Sequence, residues 1–461
     1  MKRVIIWFFT FFISILCFSQ EQYQITEITI IGNKITKKEI ILRELTFVVG
    51  ENTNKENLQS KIKQSKENLN NLSLFNFIDI KSVFYQSEVV IIINVVEQWY
   101  VWPYPIFELS ERNFNVWWDE FKESNYSDFS RTNYGVYLVW ENFRGRNELL
   151  KIKYRRGFKE QYLFNYNIPY FNKQKTIGVN AFAQLFRRKK SFYKTIDNQL
   201  IYYEDADYTS KDFELQISLL YRKGTRHKHK LKLQYFQSNI ADSISLNNSN
   251  YLRNTKTEGG FYRFSYQYAN EQRDYVQYPL HGHYLHFELS KNFAGTSPVN
   301  HFEAVGKIEK YMKIQNRLFI GSSFKAKISS NGYQPYFAQK ALGFDDYVRT
   351  YEYYVIDGQN FWLSKNAIKY ALFEKTNFEL PYVKMSQFKK SHFSLYVSVF
   401  SDMGYVIDTQ NNMENSLANS LLIGKGISLD YVTYYDKLLR IEYGINRLGE
   451  KGIFLHFTNP F

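Results

Sequence analysis

Thiols are almost absent from this 461-residue chain: Cys17 is its one cysteine. It lies in the opening run MKRVIIWFFTFFISILCFSQ, where Lys2 and Arg3 precede a short apolar stretch and Cys17 and Ser19 supply small residues before a cleavage point. That pattern reads as an export signal over residues 1–19, too short for a membrane span, with the mature chain starting at Gln20. The processed chain then holds no thiol, which excludes disulfides, thiolate metal sites and cysteine nucleophiles. Proline is scarce, at 8 residues. Beyond the signal no run approaches the roughly 18 consecutive apolar residues that a spanning helix needs. Neither a Gly-x-Ser-x-Gly elbow nor a His-Glu-x-x-His pair occurs, so no catalytic residue, enzyme activity or cofactor is expected. His281, His283 and His286 in HGHYLH do not share one strand face and read as a turn entering a strand, so no metal site is expected either.

Aromatic rings are abundant instead. Tyr and Phe number 39 and 40, and aromatic residues make up 19% of the chain, although mean hydropathy is only −0.44. The average conceals a period of two. In LLKIKYR, Leu150, Ile152 and Tyr154 alternate with Lys151, Lys153 and Arg155; in FELQISLLY, Phe213, Leu215, Ile217 and Leu219 alternate with polar residues. KLKLQY, YRFSYQY, HFSLYVSV and LRIEYGI repeat the pattern. Strands with one apolar and one polar face can cross a bilayer only as a closed barrel, because lipid satisfies no backbone hydrogen bond. Residues 99–461 have room for on the order of 16 antiparallel strands of about 9–11 residues. The formal net charge of +14 falls almost wholly in this part. It is spread singly along alternating strands, which suits lumen and loop positions near anionic lipid and not a nucleic-acid partner.

Residues 20–98 read differently, as a small α+β domain of order β-α-α-β-β. Ile25, Ile28, Ile30 and Ile31 form a strand ending at Gly32-Asn33; Thr36 and Glu39 have capping-box spacing for a helix through Leu45. From Asn54, a second helix sets Leu58, Ile62, Ser65 and Leu69 on one stripe. FNFIDIKSVF and EVVIIINVVE follow as two strands, the second fit for burial on both faces or for a place beside an edge.

These segments, with ITEITIIGNKITKKEIILREL, NLSLFNFIDI and VIIINVVE, resemble the polypeptide-transport-associated (POTRA) domain. Downstream, NYGVYLVWENFRGRNELLKIKYRRGF, NIPYFNKQKTIGV, GFDDYVRTYEYYVIDGQ and FSDMGYV appear in an order similar to that of the BamA and TamA superfamily of outer-membrane barrels, the bacterial surface antigen family. Trp99 to Pro105 and RNFNVWW resemble its short single-POTRA members in Bacteroidota. The resemblance implies a transmembrane β-barrel in the outer membrane with its N-terminal domain in the periplasm. It implies an assembly factor that receives unfolded outer-membrane protein clients and inserts them into outer-membrane lipid, with accessory lipoproteins as further partners. A polypeptide translocator or a passive pore is the alternative.

Two groups of residues follow from that resemblance. Val348, Arg349, Thr350 and Tyr351 align with a lumen loop whose arginine pairs with wall carboxylates; Asp402 is the expected partner. Asp345, Asp346, Glu352 and Asp357 are further candidates, and Tyr351, Tyr353 and Tyr354 are candidates to stack on the guanidinium or fill the lumen. Thr350 replaces the family glycine, and Ala367 stands where relatives offer a second carboxylate. Glu450, Gly452, Leu455 and Phe457, near the terminal Phe461, fit the strand signal read by the barrel-assembly machinery. Apart from the resemblance, Pro103 and Pro105, each without a backbone donor, mark either a weak seam at the first barrel strand or the linker into the barrel.

Overall fold

The computed structural model describes residues 21–109, 122, 125, 132–296, 299–330, 334–410, 414–433 and 437–458. The signal segment with Cys17, the RNFNVWW run and Phe461 lie outside the described residues. The chain divides into two compact units, Met1–Glu97 and Gln98–Phe461.

In the first unit, β1 (Tyr23–Ile31), α1 (Lys38–Arg43), β2 (Asn52–Thr53), α2 (Lys55–Asn70), β3 (Phe75–Tyr85) and β4 (Glu88–Glu97) form a four-stranded sheet of order β2-β1-β4-β3. The strand β4 is central, parallel to β1 and antiparallel to β3. Its Val89, Ile91, Ile93 and Val95 are all buried on one face, and it therefore alternates where a two-face burial was one expectation. The two-residue β2 was not foreseen. Ile40, Ile41, Leu58 and Leu69 complete the core. The second helix starts as read, with the Asn54 side chain accepting from the Asn57 N–H at 2.8 Å. The first does not. It is capped at Lys37 with no side-chain bond and ends at Arg43. The Glu97 carboxylate takes the N–H groups of Lys34, Ile35 and Thr36. A buried carboxylate that satisfies three backbone donors outweighs the local Thr36–Glu39 cap.

In the second unit, a sixteen-stranded antiparallel sheet matches the barrel expectation. Its first five strands are β5 (Val101–Leu109), β6 (Thr132–Phe143), β7 (Glu148–Gly157), β8 (Lys159–Ile168) and β9 (Ile177–Arg188). A side hairpin, β10 (Lys190–Ile196) and β11 (Gln199–Glu204), precedes β12 (Ser210–Tyr221), β13 (His227–Ile240), β14 (Glu258–Glu271), β15 (Gly282–Ala294), β16 (Phe302–Gln315) and β17 (Leu318–Ser329). The small pair β18 (Lys340–Leu342) and β19 (Ile356–Asp357) interrupts the run before β20 (Asn360–Glu379), β21 (Lys390–Ile407), β22 (Leu421–Thr433), β23 (Leu438–Asn446) and β24 (Lys451–Thr458). Every neighbour pair is a simple up-and-down connection around the sheet, whose two ends are β5 and β24. Among the described residues no ladder joins those ends.

An even number of strands brings both ends of the sheet's chain to the same rim; the longest connections, β5–β6, β9–β12, β13–β14 and β17–β20, all lie at the opposite rim. Outward residues such as Phe213, Leu215, Ile217 and Leu219 are exposed, as lipid-facing positions must be, while Ser218 beside them is buried. Connecting segments enter the lumen. Ala341, Leu342, Val348, Tyr351 and Ile356 of the β17–β20 connection form an apolar cluster with Phe361, Leu363, Val406 and Leu422 of the wall. A second cluster joins Tyr278, from the β14–β15 turn, to Phe319, Ala371, Tyr396, Val432 and Leu438.

Candidate functional site

Inside this wall the β17–β20 connection presents Arg349. Its Nε donates to Asp402 Oδ2 at 2.7 Å and its Nη2 to Asp402 Oδ1 at 2.6 Å. The backbone N–H of Arg349 also points at Asp402, at 3.3 Å. The fork matches the carboxylate plane, the geometry in which guanidinium binds most strongly. Nη1 reaches Glu442 Oε1 at 3.4 Å and Nη2 the carbonyl of Asn366 at 3.3 Å. Burial works against the charge, but the hydrogen bonds and charge of Asp402, with Glu442 behind it, hold the Arg349 pKa above its usual value. The guanidinium lies 4.0 Å from the centroid of the Phe400 ring, a cation–π contact in a desolvated setting.

The elements explain the placement. On β21, Phe400 and Asp402 are two residues apart and share the inward face. On β23, Arg440, Glu442 and Gly444 do the same. Glycines of β22 and β23 let the loop backbone lie against the wall. A Cβ at Gly424 would be 1.9 Å from the Arg349 carbonyl oxygen, and one at Gly444 would be 2.4 Å from Thr350 Cγ2. A second ion pair continues the row: Arg440 donates to both oxygens of Asp430 at 2.8 and 3.0 Å, and the Tyr278 hydroxyl adds a bond to Asp430 at 2.7 Å.

Several expectations change here. Thr350 has φ +77°, a left-handed backbone that glycine adopts freely, despite its β-branched side chain, whose Oγ1 is buried without a hydrogen bond. Such a residue stores strain of order 1–3 kcal/mol. The second carboxylate comes not from the Ala367 strand but from Glu442. Phe400, not a loop tyrosine, stacks on the guanidinium. Tyr351 is buried in the apolar cluster, Tyr353 is 74% exposed, and the Tyr354 hydroxyl donates to Glu450 at 2.6 Å. Asp346 pairs with Lys325 at 2.6 Å. The missed residues had one signal: in LRIEYGI the polar phase puts Arg440 and Glu442 on one face, a costly pairing unless something charged meets it.

The remaining candidates lie elsewhere. Glu450 holds Asn446 Nδ2 at 2.6 Å in the β23–β24 turn; Gly452 sits against the Phe454 ring; Leu455 and Phe457 face outward and are exposed. Pro103 and Pro105 stand on β5 opposite Leu138 and Val136. The Glu141 N–H donates to the Tyr100 carbonyl at 2.7 Å, which sets the phase of the β5–β6 ladder. Since bonded and non-bonded pairs alternate, both prolines occupy non-bonded positions. An N–H there would point away from β6, toward the free edge of the sheet. His283 points outward on β15 and His286 inward, apart from each other.

Fold and site together define a class: a sixteen-stranded β-barrel whose lumen holds a loop paired with the wall through Arg349 and Asp402, accompanied by a small sheet-and-helix domain. The chain belongs to the Omp85 superfamily, whose domain matches residues 142–447, while residues 23–98 match the surface antigen variable number repeat, a POTRA domain. Among solved structures it is similar to BamA from Haemophilus ducreyi lacking POTRA domains 1–3, at 13% identity over 94% of this chain and 84% of that one, TM-score 0.51. It is also similar to CdiB from Escherichia coli, at 13% identity over 95% of this chain and 76% of that one, TM-score 0.53. Both are likenesses of fold. No curated protein matches the chain.

Proposed function

We propose that this protein resides in the outer membrane with its POTRA domain in the periplasm, takes up unfolded outer-membrane protein clients there, and releases them into lipid through the seam between β5 and β24. The observation that carries the reading is the state of that seam. No ladder closes it among the described residues, and Pro103 and Pro105 remove two donors from the edge that faces it. On β24, the Asn446 N–H bond to the Glu450 carbonyl sets the phase so that the backbones of Ile453, Leu455 and Phe457 address the same edge. An edge with unmade bonds is a template for an incoming strand. In the POTRA domain β3 pairs only with β4 among the described residues, which leaves an edge where a client backbone can add without regard to its sequence. The Arg349 latch then keeps the loop in the lumen while the seam works.

Translocation of polypeptide through the lumen is the alternative within the same family. The loop and apolar clusters that enter the lumen, leaving cavities of about 350 and 380 Å³ beside them, favour the seam and speak more strongly against a passive pore. The test is an engineered cysteine pair joining β5 to β24, in a chain that otherwise has no mature thiol. Oxidation is expected to stop client assembly in reconstituted vesicles and reduction to restore it. Unchanged assembly in the locked protein would reject lateral release, and a large conductance in planar bilayers would favour translocation.

A further inference from the structure

Beside the latch, three side chains from separate elements converge: Glu352 of the lumen loop, Glu442 of β23 and His456 of β24. His456 Nε2 lies 3.1 Å from Glu442 Oε2 and 3.6 Å from Glu352 Oε1. Yet Nε2, Glu442 Oε2 and both oxygens of Glu352 are buried and make no hydrogen bond. The Glu442 side chain is 1% exposed, and it is costly to bury a carboxylate oxygen whose one neighbour, the His456 ring nitrogen, makes no aligned hydrogen bond to it. Its Oε1 is turned to Arg349 and, at 3.8 Å, to Arg440, so Oε2 alone is directed into the cluster. The other ring nitrogen, His456 Nδ1, faces the Tyr347 hydroxyl at 3.4 Å, and the two rings stack with centroids 5.9 Å apart. Tyr347 thus fixes the imidazole with Nε2 aimed inward.

The spacing suits a metal better than a hydrogen-bond network. Ligands about 2.0–2.1 Å from a tetrahedral cation stand about 3.3 Å from one another, between the two separations from the imidazole, and all three ligand atoms lie within 4.8 Å of one another. One imidazole and two carboxylates match the charge of a divalent ion, and a neighbour that orients the other ring nitrogen is the usual outer-shell arrangement. Imidazole nitrogen selects zinc-class ions over calcium or magnesium, which require oxygen shells.

We infer that Glu352, Glu442 and His456 form a binding site for one zinc-class divalent cation, with water completing the shell, and that the ion ties the lumen loop to the terminal strand. The site stands whether the barrel inserts or translocates polypeptide. The expectation of no metal was drawn from spacing along the chain, where residues 352, 442 and 456 form no motif.

The test is Zn²⁺ titration of the full mature protein in detergent, stripped with chelator, against a chromophoric competitor. The wild type is expected to take up one equivalent that excess Ca²⁺ does not displace, and to give the visible bands of tetrahedral Co²⁺ on substitution. In Glu352→Gln and His456→Gln that equivalent is expected to vanish or weaken at least about tenfold and the Co²⁺ bands to disappear. Heat-modifiable gel migration reports that each variant barrel is folded, and Glu352→Gln alters only the loop if the strand variant fails. A wild type that binds no more Zn²⁺ than His456→Gln, or folded variants that bind as tightly as wild type, would overturn the inference.

Discussion

Gly424 of β22 lies directly beneath the Arg349 carbonyl, so close that a Cβ on the glycine would stand 1.9 Å from the oxygen. The contact is backbone to backbone, and no side chain can turn away to relieve it. The conversion Gly424→Ala must lift the loop from the wall and stretch the Arg349–Asp402 fork. Hydrogen exchange in residues 347–351 is expected to rise in the variant while the strands far from β22 stay protected. Unchanged loop protection would show that the wall glycines do not set the depth of the latch.

Arg349→Ala leaves Asp402, fully buried, without its partner. A buried pair broken on one side costs about 3–5 kcal/mol, so the variant is expected to lose its heat-modifiable fold at a lower denaturant concentration. Arg349→Lys should recover only part of that loss, because a point charge cannot make the two-pronged contact. Equal stability of Lys and Arg at this position would contradict a role for the fork.

Restoring donors at the seam is a separate lever. Pro103→Val and Pro105→Val return two N–H groups on the side of β5 that faces away from β6. Each bond gained with a facing strand contributes about 0.5–1.5 kcal/mol. The double variant is expected to be harder to unfold in detergent and slower in client assembly. Faster assembly, or no change in either measurement, would separate these prolines from gating.

Asp357, in the outer connection, titrates in an accessible range. Burial, followed by repulsion from Asp408, raises its pKa from 3.8 to about 6 despite the Thr195 hydroxyl and nearby lysines. A carboxyl that holds its proton more tightly when folded stabilises the fold fully below about pH 3.8, and that stability is lost as pH rises through about 6. The connection is expected to be more protected at pH 5 than at pH 8 by about 1 kcal/mol, because the raised pKa lies only about one pH unit above pH 5. Asp357→Asn should abolish the difference, as read by hydrogen exchange of β18 and β19. A pH difference that survives in Asp357→Asn would assign it to another group.

Much of this was legible in the residue order. The period of two in LLKIKYR and FELQISLLY announced strands with one lipid-facing side, and FSDMGYV offered Asp402 as the partner of Arg349, although that residue lies within β21 and not after a strand. The helix start at Asn54 was legible too, because the cap bond that fixes it is to a residue three positions on. The Thr36 cap was not, because the group that governs that turn, Glu97, arrives from the other end of the domain.

The sequence by itself determined which faces of the strands seek lipid, roughly how many strands there are, and that Arg349 needs a carboxylate. Those follow from local period, length and the permanent charge of guanidinium, which every neighbour must respect. Only the tertiary structure decided that Glu442 and Phe400 complete the arginine's surroundings, that glycines of β22 and β23 make room for the loop, and that Glu352 and His456 meet at one point. Curling a sheet brings together residues of three or four strands and a returning loop, and their distances depend on strand stagger and loop path, which no spacing along the chain encodes.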